Sequence, residues 1–327
     1  MKPQGWVSHP DDVERLVEEW AAERGEVLQV ERVEQYTGRP VFALTLASAG
    51  DDRSRPALFF HKPHAHEPAP CAAMMNVLAK LLFGRGLDGE PPPIDPAAVL
   101  DSLVLTFVPD ANPGGTERAP VQWWDGTQYT NEEFWAWMRG LDPRTGKMWE
   151  RYDKWDDRTV EPKPARLGIV YEQVSEHEYV EPNRHHDSSL FRLLFRLLDR
   201  HNYAMIMGLH QTEFVGTVYD GMVILPILFD EQPQALKDRE LEVGRNVVAW
   251  WQRFGGRPMQ QIEPLGYSGA QAEYFRRAWG DLYQRCASIT SEVRNNSLLC
   301  PPSQQRALTE GAIWAAIETA MGWPPVQ

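Results

Sequence analysis

Apolar residues recur along the chain in two patterns, one typical of buried strands and one typical of helices. Short apolar runs bounded by polar turns predict strands, and they lie at 27–33, 41–48, 57–61, 102–109, 204–210, 221–228 and 287–293. Apolar residues at helical spacing predict helices, and they lie at 10–24, 71–84, 188–201, 237–254 and 304–321. Because strands alternate with helices, the sequence predicts an α/β fold whose mixed, largely parallel sheet is covered by helices on both faces.

The length of the chain and its Trp-rich middle bound the domain organisation. A single hydrophobic core stops growing at about 250–300 residues, so the 327 residues fit one main domain, and no linker interrupts them. We expect an N-terminal helical segment at 1–25 and one main domain at 26–327. Residues 118–180 break the strand–helix alternation, so we interpret them as an insertion. Their tryptophans are either a satellite hydrophobic cluster or an aromatic rim over a binding site.

Charge and cysteine content exclude several classes of protein. The net charge of -13 repels polyanions at long range, so we expect neither a nucleic-acid partner nor an anionic membrane. Three cysteines, Cys71, Cys286 and Cys300, do not make a disulfide framework and suit a reducing compartment. The sequence contains neither a signal peptide nor a run approaching the ~20 apolar residues that cross a bilayer. We expect a cytoplasmic protein, and its oligomeric state is open.

The turn after the strand at 57–61 carries residue types that bind metals. His64 and Glu67 are spaced as H-x-x-E, and His61 and His66 lie beside them. One helical turn or a tight loop places such a pair on one side, and zinc accepts both an imidazole and a carboxylate. Ligands of open α/β sheets bind beyond the carboxyl ends of the strands, where this turn lies. The competing interpretation is a polar loop that is rich in histidine.

A third ligand must come from elsewhere in the chain. A catalytic zinc ion takes three protein ligands and keeps one position open for water. His210 ends a second buried strand and is followed at once by polar residues, so we expect it to be the third ligand. His177, His185, His186 and His201 are weaker candidates, because they fall in loops or at the end of an amphipathic helix.

A general base is also needed to take a proton from the attacking water. Glu292 lies near the end of the last predicted strand, where a carboxylate among apolar residues is costly unless it has a task or a partner. We therefore expect Glu292 to be the catalytic base. Glu242 is a rival, but it falls in a predicted amphipathic helix. Glu213, three residues after His210, is a candidate supporting residue.

These motifs, in this order, resemble those of the M14 zinc carboxypeptidases. Residues 57–70 (ALFFHKPHAHEPAP) resemble the strand and metal turn of that family. Residues 208–214 resemble the strand that ends in the third ligand, and residues 288–294 resemble the strand that carries the catalytic glutamate. The segment FVPDANPGG is similar to the strand before the family's N-P-D-G turn, with Gly114 in place of the aspartate. The resemblance covers most of the chain, roughly residues 25–322.

The resemblance implies roles for further residues. The segment VEPNR is similar to the family's D-x-N-R segment, so Asn183 and Arg184 would hold a terminal carboxylate, which a guanidinium binds bidentately. Glu181 replaces the family's aspartate and would orient a zinc-bound histidine. Tyr267 would lie at the substrate, with Tyr274 as the second candidate, and Arg118 would steady the oxyanion.

The same resemblance implies an activity. It implies one zinc ion and a hydrolase that cleaves a C-terminal peptide or amide bond with metal-activated water, acting on a peptide or an N-acyl amino acid. Two alternatives stay open. One is a deacylase of N-acyl amino acids on the same fold. The other is a non-catalytic binding protein that kept the scaffold, because Gly114 and Glu181 depart from the family pattern.

Overall fold

This computed structural model describes residues 2–48 and 54–324, in which strands and helices alternate over much of the chain. The helices are α1 (Pro10–Arg24), α2 (Pro68–Phe83), α3 (Pro96–Ser102), α4 (Pro113–Glu117), α5 (Asn131–Arg139), α6 (Ser189–Leu198), α7 (Gln234–Arg253), α8 (Gly269–Tyr283) and α9 (Pro302–Ala320). The strands are β1 (Leu28–Glu34), β2 (Pro40–Leu46), β3 (Ala57–His61), β4 (Val104–Val108), β5 (Gly140–Leu141), β6 (Lys154–Asp156), β7 (Arg166–Leu167), β8 (Glu172–Gln173), β9 (Glu178–Val180), β10 (Tyr203–Thr212), β11 (Gly221–Leu225), β12 (Pro258–Pro264) and β13 (Ala287–Arg294).

The main sheet has eight strands among the described residues, in the order β1-β2-β4-β3-β10-β13-β11-β12. The central strands β4, β3, β10 and β13 run parallel. The strands β1 and β2 at one side pair antiparallel, and β11 pairs antiparallel with β13. The predicted α/β class with a mixed sheet is therefore confirmed. The elements that the sequence pattern did not predict include β12, an edge strand with both polar and apolar side chains, and α8, which buries four of its fifteen residues.

Helices cover both faces of the sheet because side chains along each central strand alternate in direction. Leu58 and Phe60 of β3 belong to a core with α1, α2, α7 and α9. Ala57 and Phe59 of the same strand pack with α6 and α8 on the opposite face. Each of these four side chains is at most 4% exposed. The continuous apolar run ALFFH is thus explained by burial on two sides.

The register of the central strands decides which residues meet at their carboxyl ends. Gly208 of β10 pairs with His61 of β3, and His210 pairs with Glu292 of β13. Because parallel strands end at the same edge of a sheet, residues far apart in sequence become neighbours here. The turn that carries His64 follows β3 directly and lies at the same edge.

The insertion at 118–180 contains α5, the two-stranded sheet β5-β7 and the three-stranded sheet β6-β9-β8. Its tryptophans Trp124, Trp149 and Trp155 are buried in two small aromatic clusters outside the main core. These three side chains therefore match the hypothesis of a satellite cluster. Within the described parts of the chain, none of the helices has the length and apolar character needed to cross a membrane.

A buried charge network ties α2 to α9. Lys80 Nζ lies 2.8 Å from Glu310 Oε2 and 3.7 Å from Asp88 Oδ2, with all three side chains close to fully buried. Asn76 Nδ2 donates to Asp88 and to Glu310, at 2.8 Å each. The network compensates the desolvation of two carboxylates that face the helix interface.

Replacing Lys80 with methionine tests this network. Lys80→Met removes one of the two cations beside these carboxylates, and Arg306 still lies 2.9 Å from Asp88 and 3.1 Å from Glu310, so we expect the free energy of unfolding to fall by about 1–3 kcal/mol. The matched control is Arg15→Met, which breaks an exposed pair with Glu19 and should cost less than about 1 kcal/mol. Urea unfolding measures both, and similar small losses in the two variants would contradict the role given to Lys80.

Candidate metal centre

A cavity of about 380 Å³ opens beyond the carboxyl ends of the central strands. Most of the residues that were singled out from the sequence line this cavity: His64, Glu67, Glu181, Asn183, Arg184, His210, Tyr267 and Glu292. The structure therefore brings these side chains together from five separate segments. Their individual roles stay predictions.

Two histidines converge on one carboxylate inside the cavity. His64 Nδ1 lies 2.9 Å from Glu67 Oε1, and His210 Nδ1 lies 3.1 Å from Glu67 Oε2. The planes of the two imidazole rings are inclined at 69°, with centroids 4.8 Å apart. Each ring nitrogen thus faces a different oxygen of the same carboxylate. This arrangement gathers two imidazole nitrogens and one carboxylate around a common point.

Local structure fixes the position of each of these side chains. The backbone N–H of Glu67 donates to the carbonyl oxygen of His64 at 3.3 Å, which closes a tight turn, and α2 begins with Pro68. Asn295 holds the turn from outside by donating from Nδ2 to the carbonyl oxygen of His66 at 3.1 Å. A Cβ added at Gly208 would lie 3.3 Å from the ring of His210, so glycine leaves room for this imidazole.

The electrostatics and donor atoms of this group fit a divalent cation such as zinc. Glu67 is 3% exposed, and its Oε2 atom has no hydrogen-bond partner of good geometry in the described chain. Burial opposes protonation of His64, but Glu67 and Glu181 outweigh it and raise the pKa of His64 to about 9. The cluster therefore draws positive charge to this point. Two histidines and one glutamate are a donor set of catalytic zinc sites.

Groups behind His64 hold its ring in the orientation that a metal ligand needs. His64 Nε2 lies 3.1 Å from Asn183 Oδ1 and 3.3 Å from Glu181 Oε1. A proton on Nε2 leaves Nδ1 with the free lone pair that faces Glu67. Glu181 itself is bound by Arg151 Nε at 2.9 Å and by Arg184 Nε at 2.6 Å. These arginines outweigh burial and hold the pKa of Glu181 well below its usual range.

His66 is a second candidate ligand beside the expected three. The donor atoms of His64, His66 and Glu67 lie within 4.8 Å of one another, and His66 Nε2 is 3.4 Å from Glu67 Oε1. However, the His66 ring stacks on that of His64 at an interplanar angle of 17°. The lone pair of an imidazole nitrogen lies in the plane of its ring. The lone pairs of two stacked rings therefore lie in parallel planes and do not converge on one ion. The ring of His210 is steeply inclined to that of His64, so their lone pairs can converge.

Glu292 lies next to the metal-binding group. It pairs in register with His210, and its Oε2 atom is buried with no hydrogen-bond partner among the described residues. Burial, and then the neighbouring charge of Glu67, raise the pKa of Glu292 well above its usual range. A divalent cation nearby opposes both effects, because it favours the ionised carboxylate. The side chain is thus placed to accept a proton from a ligand in the cavity.

One expectation needs correction, that Arg118 meets the oxyanion. Arg118 does not line the cavity. Its guanidinium donates to the carbonyl oxygens of Gly114 at 3.0 Å and Tyr171 at 2.9 Å, so it braces the insertion and does not meet an oxyanion. The departure at Gly114 also has a structural cause: a Cβ there would lie 2.9 Å from side-chain oxygens of Gln35 and Thr37. An aspartate there would require the side chains of Gln35 and Thr37 to move, although Gln35 accepts a hydrogen bond from the backbone N–H of Gly114.

The insertion supplies cavity residues that were not predicted from sequence. Arg139, Arg151, Met138 and Trp135 line the cavity, and Trp135 Nε1 donates to Glu213 Oε2 at 2.9 Å. No periodic pattern in the sequence identifies these residues, because the insertion consists of short elements and irregular loops. Trp135 alone, among the six tryptophans of the insertion, matches the hypothesis of an aromatic rim.

The eight-stranded mixed sheet with a histidine–glutamate cluster at its carboxyl edge defines the class of fold, that of the metallo-carboxypeptidases. The structure is similar to a metallo-carboxypeptidase from Burkholderia cenocepacia, with a TM-score of 0.59 and 13% identity, covering 94% of this chain and 68% of that one. It is similar to carboxypeptidase A from Helicoverpa armigera, with a TM-score of 0.60 and 13% identity, covering 96% and 74%.

A third similar structure is a metallo-carboxypeptidase from Pseudomonas aeruginosa in complex with (2-guanidinoethylmercapto)succinic acid. Its TM-score is 0.54 at 14% identity, and the match covers 94% of this chain and 68% of that one. No family model matches the sequence, and no curated protein matches it. The predicted resemblance to zinc carboxypeptidases is therefore confirmed at the level of the fold.

Metal affinity tests which histidines hold the ion. We expect His64→Ala and His210→Ala to weaken zinc binding by more than about 100-fold, because losing a direct ligand exceeds the 10–100-fold typical of an outer-shell change. His66→Ala should weaken it by no more than this outer-shell range. Zinc content after equilibration with a competing chelator measures all three variants. Loss of zinc by His66→Ala together with retention by His210→Ala would instead assign the ion to the group His64, His66 and Glu67.

Proposed function

We propose that this protein is a zinc-dependent hydrolase that cleaves a peptide or amide bond next to a free carboxylate. The observation that carries the proposal is the placement of two imidazole nitrogens at 2.9 Å and 3.1 Å from the two oxygens of Glu67. Glu292 lies beside them, with an unpartnered carboxylate oxygen. Such a group is built to hold an ion and to move a proton next to it.

The chain's own residues account for the proton transfers. When bound, a zinc ion at His64, Glu67 and His210 supplies Lewis-acid polarisation of a substrate carbonyl and activation of water. Glu292 takes the proton of the attacking water through its free Oε2 atom. It then gives that proton to the leaving nitrogen, so that one carboxyl group serves both steps.

Arg184 and Asn183 retain donors for a substrate carboxylate. Arg184 uses Nε for Glu181 and Nη1 for Gln271, while Nη2 makes no hydrogen bond within the described chain. The guanidinium lies over the ring of Phe275, with its central carbon 4.6 Å from the ring centroid. Asn183 accepts at Oδ1 from His64, so its amide N–H groups stay available. These contacts fix both side chains before a carboxylate arrives, which reduces the entropic cost of binding.

Part of the cavity lining is apolar. Ile206, Leu225, Trp279 and Ile289 belong to it, and each is buried. The residue that carries the free carboxylate therefore has an apolar side chain in our proposal, since burial of apolar surface favours binding by about 25 cal/mol per Å².

A deacylase of N-acyl amino acids is the second candidate for this site. The observation that favours it is the insertion, because Trp135, Met138 and Met148 line the same cavity as the metal-binding group. A wall so close to the site leaves more room for a short acyl group than for a long peptide. The non-catalytic alternative has less support, because Gly114 is explained by packing and Glu181 bonds to His64.

The variant Glu292→Gln separates metal binding from turnover. It keeps the shape of the side chain but cannot accept the proton, so we expect kcat to fall by roughly 10²–10⁴-fold. The zinc content should equal that of the unaltered protein, because Glu292 is not among the expected ligands. Full turnover by Glu292→Gln, at equal zinc content, would remove the assignment of the base.

A substrate series distinguishes the two candidate activities and tests the carboxylate contact. Dipeptides to pentapeptides and N-acyl amino acids with the same apolar C-terminal residue are compared, each with a free and an amidated C-terminus. We expect amidation to lower kcat/KM by at least about 10-fold, because it removes a charge-assisted hydrogen bond. Equal rates for free and amidated substrates would contradict the role given to Arg184. Faster cleavage of N-acyl amino acids than of the longer peptides would favour the deacylase.

A further inference from the structure

Arg139 is a cation in the cavity that has no partner among the described residues. It is the last residue of α5, and its side chain lines the cavity wall that the insertion forms. Within residues 2–48 and 54–324 its guanidinium makes neither a hydrogen bond nor an ion pair. The two other cavity arginines differ, since Arg151 and Arg184 both bind Glu181. The protein therefore leaves the charge of Arg139 available to a ligand.

The backbone of Arg139 is held in place by two glycines. Gly140 follows directly with φ 107°, a conformation that other residues rarely adopt. Gly168 packs against Arg139 so closely that an added Cβ would lie 2.1 Å from the carbonyl carbon of Arg139. The backbone N–H of Ile169 also donates to the carbonyl oxygen of Trp137 at 3.0 Å. Because the backbone at Arg139 is already fixed, less conformational entropy is lost when the Arg139 side chain binds a ligand.

The surroundings of Arg139 disfavour an unpaired cation. Burial, and then the neighbouring charge of Arg151, lower the pKa of Arg139. Glu213, another carboxyl that lines the cavity, is bound by the indole N–H of Trp135 and forms no ion pair with Arg139 in the described chain. An anionic group of a ligand would relieve the repulsion between the two arginines and gain charge-assisted hydrogen bonds.

We propose that Arg139 binds a second anionic group, on the acyl side of the scissile bond, so that the preferred substrate is a dianion. This inference rests on the proposed function, in which Arg184 holds the substrate's C-terminal carboxylate. Arg139 lines the same cavity from the insertion, together with Trp135 and Met138, whereas Arg184 belongs to the segment that follows β9. The substrate class is thus an acidic acyl group, such as a dicarboxylic acid, joined through an amide to an apolar amino acid.

Equilibrium binding tests the inference without turnover. In zinc-loaded Glu292→Gln protein, calorimetry compares N-succinyl-phenylalanine, a dianion, with N-acetyl-phenylalanine, a monoanion. We expect the dianion to bind at least about 10-fold more tightly. Adding Arg139→Gln should remove most of this difference and change the affinity for the monoanion by less than about 2-fold. Adding Arg139→Lys should preserve part of the difference, because it keeps the charge but not the planar fork.

Arg144→Gln is the matched control, because it removes a positive charge from an exposed arginine of the same insertion, 67% exposed and paired with Asp142. It should leave both affinities unchanged. Equal weakening of both ligands by Arg139→Gln would overturn the inference, since Arg139 would then serve a group that the two ligands share. No effect on either ligand would overturn it as well.

Failure of the proposed function has a different signature. If the unaltered zinc-loaded protein hydrolyses neither compound, nor any peptide of the substrate series, while the dianion still binds through Arg139, the hydrolase proposal fails and the assignment of Arg139 stands. If hydrolysis occurs with no preference for the dianion, the assignment of Arg139 fails alone. Thermal unfolding and zinc content of every variant confirm that the comparison is made between folded, metal-loaded proteins.

Discussion

The site depends on one buried carboxylate that is shared between two imidazoles. Glu67 is 3% exposed and faces the Nδ1 atoms of His64 and His210 with separate oxygens. Burying a carboxylate without compensation is strongly unfavourable, so this group favours a structure that brings positive charge to the same point. The pKa of Glu67 stays well below its usual range because the histidines outweigh its desolvation. A divalent cation at this point would also stabilise the ionised carboxylate of Glu67, and it carries a higher charge than a protonated imidazole.

The charges behind this carboxylate form a connected series. His64 joins Glu67 to Glu181, and Glu181 in turn joins Arg151 and Arg184. Each buried charge in the series has an opposite charge beside it, which is the condition under which ionic groups are tolerated in a protein interior. The same contacts orient the ring of His64 and the fork of Arg184. The proposed metal site and the proposed carboxylate site thus share one glutamate, Glu181.

The insertion gives this version of the fold its own chemistry. The sheet supplies the metal-binding group and Glu292, whereas α5 and the loops after it supply Arg139, Arg151 and Trp135. Much of the insertion's aromatic content packs internally. That packing stabilises the part of the cavity lining that the insertion forms. The few side chains of the insertion that line the cavity are mostly cationic or apolar. Loops that a rigid scaffold positions commonly carry specificity in this way.

The sequence alone determined the α/β class and the placement of His64, Glu67, His210 and Glu292 at strand ends, because periodicity and burial are local properties of the chain. It did not determine which side chains of the insertion face the cavity, nor that Arg118 braces carbonyl groups outside it. Those outcomes depend on contacts between residues distant in sequence, which short irregular elements do not encode in any spacing. Only the tertiary structure decided them, since strand register and loop packing set which groups approach within hydrogen-bonding distance.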